Sequence, residues 1–148
     1  MNGVEKKFEN ADKAMRHEMH KWGIPILRIA LAIVFLWFGA LKVFGVSPVV
    51  DLIKETYSFM PTHAFVMVLG IWEILIGLGL LFKITLRVTL GLLWLQMLGT
   101  LFSLVLAPHM FFSGENIFLL TMEGEFVIKN LVLIASGIVI GGHEVHKM

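Results

Sequence analysis

Residues Ala64–Phe82 read AFVMVLGIWEILIGLGLLF, nineteen residues with one charge, Glu73, near the middle. An α-helix needs ~20 apolar residues to cross the hydrocarbon of a bilayer. This run meets that length, and its lone carboxylate lies too deep to reach either surface. Three other stretches have the same character: Ile24–Phe44 (IPILRIALAIVFLWFGALKVF), Arg87–Ala107 (RVTLGLLWLQMLGTLFSLVLA) and Glu125–Ile140 (EFVIKNLVLIASGIVI). The fourth is short and starts a few residues earlier if Thr121 opens it. The sequence therefore predicts an all-α integral membrane protein, a bundle of four transmembrane helices in residues 24–142, because helices satisfy their own backbone where water is absent.

Composition agrees. Of 148 residues, 57% are hydrophobic and 16% charged, against about 45–50% and about 25% in a soluble domain. So small a chain cannot hide that apolar excess in one core. A net charge of +1 gives no reason to expect nucleic acid as a partner. Cysteine is absent, which excludes disulfides, thiolate nucleophiles and cysteine-ligated clusters. Redox chemistry would then need an outside cofactor or a partner redox protein.

Lys and Arg set the expected direction. Lys6, Lys7, Lys13, Arg16, Lys21, Lys83, Arg87 and Lys147 fall on one side, and Lys54 alone on the other. Both termini are expected in the cytoplasm, with the chain multi-pass in the inner membrane. The charged first 22 residues lack the apolar core of a signal peptide, so span one is expected to serve as its own insertion signal. Val4, Phe8, Ala11, Met15, Met19 and Trp22 recur at three- and four-residue steps within residues 1–23. That spacing predicts an amphipathic helix on the inner membrane surface. Between spans one and two, Ser47 and Pro48 suggest the start of a short helix, with Pro61 closing the loop. The Phe-rich loop before span four is either a lid over the bundle or an interfacial anchor.

Two pentapeptides bracket the spans: HEMHK at His17–Lys21 and HEVHK at His143–Lys147, the latter in a short tail, 143–148. Each sets two His three apart, on one helical face. His17, His20, His143 and His146 could meet around a metal ion if spans one and four are neighbours. Solvated headgroup-layer residues are the simpler reading, and no bound metal is expected.

Ionisable groups inside spans are expensive and mark function by default. They are Arg28, Lys42, Glu73 and Lys129, joined by the amides Gln96 and Asn130. An isolated carboxylate at the depth of Glu73 needs a proton or a cation. Gly70 and Gly77 share its face and would admit a close neighbour. Arg28, Ala32, Phe35, Gly39 and Lys42 form one stripe on span one, although either end charge could snorkel. Lys129 follows Glu125 by one turn, an i,i+4 pair, and falls at the depth of Lys42. Trp37, Trp72 and Trp94 could wall a cavity. These residues predict a polar pocket with Glu73 as buried acid or proton carrier and Arg28, Lys42, Trp72, Gln96, Lys129 and Asn130 as ligand-binding groups. A quinone headgroup or a small oxyanion would suit it. A non-catalytic scaffold or chaperone, in which the charges only lock helices, and a small proton-coupled transporter are the alternatives. Gly137 and Gly141 offer a small-residue surface for packing or for a homo-oligomer.

The segments LRIALAIVFLWFGALKVF, GIWEILIGLGLLF and GEFVIKNLVLIASGIVI, within residues 24–142, resemble the DoxX-like family of small four-helix membrane proteins. The likeness rests on Arg28, Gly39 and Lys42 in span one, Glu73 and Gly77 in span two, and Gly124–Glu125 opening span four. SPVVDLIKE resembles the related reactive-chlorine-resistance membrane proteins. The resemblance implies a redox-associated subunit. One branch serves thiosulfate:quinone oxidoreductase and another an oxidoreductase complex in oxidative-stress defence. It carries polar roles to Arg28, Lys42, Glu73 and Lys129. Without cysteine, thiol-based sulfur transfer by this chain alone is implausible. The N-terminal helix and the His-rich ends lie outside the family pattern.

Overall fold

A computed structural model describes residues 3–47, 50–56, 61–114 and 118–145. Pro48, His146 and Lys147 lie outside them, as does the side chain of Val4. The described residues are helical apart from short connections. They form α1 (Gly3–Val43), α2 (Val50–Thr56), α3 (Thr62–Phe82), α4 (Leu86–Leu106), α5 (Pro108–Phe111), α6 (Met122–Ile128) and α7 (Asn130–Glu144). Four stretches are long and apolar enough to cross a membrane: most of α1, all of α3 and α4, and α6 with α7 from Met122 to Glu144.

Two boundaries differ from expectation. The break expected near residue 23 is absent: α1 runs 41 residues straight through Pro25. An interior proline removes one backbone hydrogen bond and bends a helix without having to end it. The projecting turns carry exposed Phe8, Met15, Met19 and Trp22, and are tied along their polar side by Glu9–Lys13 and Asp12–Arg16 pairs. The fourth span, expected as one helix, is offset at Lys129. There the chain makes a turn, and Val132 N–H bonds Lys129 O at 3.0 Å. Thr121 caps its start, accepting from Gly124 N at 3.1 Å.

α1 packs on α3, α3 on α4, α4 on α7 and α7 on α1, closing a ring. The α1–α3 seam is the most extensive because small residues line it. A Cβ on Gly39 would stand 2.7 Å from Gly70 O, and one on Gly70 would stand 2.9 Å from Gly39 O. Gly137 and Gly141 face Trp94 and Leu90 of α4, so that small-residue surface is used inside the bundle. Ile29, Ile33, Leu75, Leu95 and Val132 point outward, an exterior suited to lipid and not to water.

The core is split. Leu31, Ala32, Phe35, Ile76, Leu80, Leu86, Leu90, Leu93, Met97 and Ile140 fill the half nearer the α3–α4 turn. Ala107, Phe111 and Val127 form a smaller cluster at the opposite end. The Phe-rich loop is folded into that second cluster, with Phe111 fully buried and Phe112 bridged to Leu120. Between the clusters the bundle is hollow.

Candidate functional site

The hollow has a volume of about 280 Å³. Its walls are mainly aromatic and aliphatic: Phe35 and Phe38 from α1, Phe65 and Trp72 from α3, and Phe126 from α6, with Ile53 of α2 at one edge. Phe38 and Phe126 meet at 5.8 Å between ring centroids. On this apolar wall sits one polar row. Lys42 Nζ lies 2.6 Å from Glu73 Oε2, and Gln96 Nε2 donates to Glu73 Oε1 at 2.6 Å. Lys42 and Glu73 are each about nine-tenths buried. The row thus ties α1, α3 and α4 together.

Three other polar groups on the wall are committed to backbone. Thr100 Oγ1 donates to Gln96 O at 3.0 Å, Ser103 Oγ to Thr100 O at 2.6 Å, and Trp72 Nε1 to Leu92 O at 3.2 Å. Trp72 therefore offers the cavity its ring and not its N–H. Asn130 reaches the wall because the turn at Lys129 rotates it inward. It is buried, and its amide makes no hydrogen bond among the described residues. Gln96 Oε1 is buried without a partner as well.

Two expected members are elsewhere. Lys129 is exposed on the outside of the turn and forms no ion pair with Glu125. One residue of helix rotation separates it from Asn130, about 100° at 3.6 residues per turn. Arg28 is buried at the far end of the bundle. Its Nη1 donates to Leu80 O and, at 3.0 Å, to Leu81 O, which closes the last turn of α3. Its Nε lies 3.3 Å from Glu144 Oε2, an ion pair without hydrogen-bond alignment. Lys83 Nζ approaches Glu144 Oε1 at 3.2 Å, from a left-handed backbone position with φ 56°.

Glu144 escaped the sequence reading because it belongs to the HEVHK pentapeptide, read there as a solvated flank. A signal existed: Gly137, Gly141 and Glu144 follow one another at steps of four and three, on a single packing face. Of Trp37, Trp72 and Trp94, only Trp72 lines the cavity. Trp37 is 66% exposed, and Trp94 packs on Gly137. His17 and His20 are exposed on the projecting part of α1. Among the described residues, no three His, Cys, Asp or Glu come together as a metal site.

Comparison with protein-family models, with curated proteins and with solved structures finds no match for this chain.

Proposed function

We propose that the chain is a membrane redox-associated subunit whose cavity holds the headgroup of a quinone-type lipid. One observation carries this reading: the row Lys42–Glu73–Gln96, with the unbonded Asn130 amide, interrupts a mainly apolar and aromatic cavity. Ligand sites have that make-up, with few polar groups placed to orient an apolar guest. A dry cavity of ~150 Å³ suffices for benzene, so about 280 Å³ has room for one substituted ring.

The same row favours a neutral ring over a small oxyanion. The charge of Lys42 is already met by Glu73. Arg28 and Lys129, the further cations an anion would want, are not on the wall. The quinone–hydroquinone couple itself takes up and releases the electrons and protons, so a chain without cysteine can serve as its binding subunit beside a partner redox protein. The resemblance to DoxX-like proteins points the same way. In the orientation that Lys and Arg favour, the cavity opens in the outer half of the inner membrane. The stripe of Phe8, Met15, Met19 and Trp22 then lies at the cytoplasmic surface, where bending at Pro25 would lay it on the headgroups.

The competing reading, a scaffold, draws on the same ion pair, which joins α1 to α3. Solvent extraction and mass spectrometry of the purified protein separate the two. Quinone is expected at near-stoichiometric level in the wild type and lost from a folded Lys42→Met/Glu73→Gln double variant. A wild-type preparation that retains no quinone from a quinone-replete membrane would leave the scaffold as the better account.

A further inference from the structure

We infer that Asn130 is a second anchor for the ring, so that the cavity reads two oxygens set on opposite sides of one ligand. This inference rests on the ring-binding reading and narrows its ligand class to rings with para oxygens.

Asn130 is 7% exposed, lines the cavity, and makes no hydrogen bond through its amide among the described residues. The Gln96 amide oxygen is also unpaired, but it is sealed from the open volume, and the Asn130 amide is not sealed in that way. A buried amide without a partner is costly, and a guest that pairs with it removes the cost.

The packing order sets Asn130 against the polar row. In the ring α1–α3–α4–α7, α7 stands diagonal to α3. The Lys42 ammonium is drawn to Glu73 on α3, so the row and Asn130 border the cavity from opposite sides. They also share an end of the bundle. Arg28 and Glu144 join α1 to α7 at the far end. Lys42 lies fourteen residues after Arg28, and Asn130 fourteen before Glu144. Along two antiparallel helices of equal rise, equal steps from one pair reach one depth.

Both groups can donate to a guest. An ammonium has three N–H donors, of which Lys42 gives one to Glu73, and the Asn130 amide has two. A ring with one oxygen engages one of these groups. A ring with para oxygens engages both. The second hydrogen bond, to a buried group otherwise unmet, corresponds to about tenfold in affinity.

The test is calorimetry on the full chain in lipid nanodiscs stripped of endogenous quinone. The probes are duroquinone and the dienone in which a dimethyl carbon replaces one of its carbonyls. Duroquinone is expected to bind about tenfold more tightly. Asn130→Leu should weaken duroquinone about tenfold and leave the dienone within about twofold of its wild-type affinity. Equal affinities in the wild type, or a duroquinone preference that survives Asn130→Leu, would overturn the second anchor and leave ring binding intact. Binding of neither probe would overturn both. If Asn130→Leu does not fold, infrared spectra of carbonyl-labelled duroquinone on the wild type decide. Two carbonyl stretches lowered by hydrogen bonding support the pair of anchors, and one left at its free position overturns it.

Discussion

The bundle buries two charged clusters, and they are built differently. At one end Arg28 meets Glu144, donates to Leu80 and Leu81 carbonyls, and sits against the main core. Lys83 completes the cluster from the rim, half-exposed. Toward the other end Lys42, Glu73 and Gln96 form a row beside a cavity, with an amide oxygen unmet. Helix α1 supplies the cation in both cases. The first cluster closes a helix end and fills its surroundings, which makes it a lock. The second has empty volume next to it, which makes it the candidate site. A buried charge within a candidate membrane span marks function by default, but the neighbouring space distinguishes the two cases.

Arg28→Leu should have the largest effect. It strips the end of α3 of its donor and leaves Glu144 with only a half-exposed lysine. Removing one member of a buried pair costs about 3–5 kcal/mol, so thermal unfolding in detergent should show a severely destabilised protein. A variant as stable as the wild type would break the contrast between lock and site.

Lys42→Met should cost less, about 2–3 kcal/mol, because water entering the cavity can solvate the stranded Glu73 carboxylate. Combined with Glu73→Gln, the cost should shrink to within ~1 kcal/mol, since an exchanged pair leaves no unmatched charge. The difference between the single and double variants measures the coupling. The double variant should nevertheless lose ring binding, because its polar row is gone. Stability restored together with binding would count against the cavity as the functional element.

Lys83→Ala should cost no more than about 1 kcal/mol and become undetectable at high salt, as for other solvent-screened ion pairs. A thermal-shift series in sodium chloride would show it. Lys129→Gln sharpens the comparison from outside: its position on the outer side of the turn predicts stability within about 0.5 kcal/mol of wild type and unchanged quinone retention by mass spectrometry. A clear loss of binding would mean that the turn at Lys129 presents this lysine, and not Asn130, to the guest.

Much of the architecture is legible along the chain. Four spans follow from the length of apolar runs, a property counted residue by residue against bilayer thickness. That Glu73 needs company, and that Gly39, Gly70 and Gly77 allow close helix approach, follows from burial cost and side-chain size. Helical spacing likewise puts Gly137 and Gly141 on one face. Partner choice is different, because it depends on how each helix is rotated and which helix stands beside it. Residue types alone left Lys42, Arg28 and Lys129 as comparable cations for Glu73. Closing the ring α1–α3–α4–α7 awards Glu73 to Lys42 and sends Arg28 to Glu144. A single turn at Lys129 exchanges that lysine for Asn130 on the cavity wall. Apolar length acts locally and can be summed along the chain. An ion pair requires two atoms within about 4 Å, and contacts that close between residues distant in sequence exist only once the helices have packed.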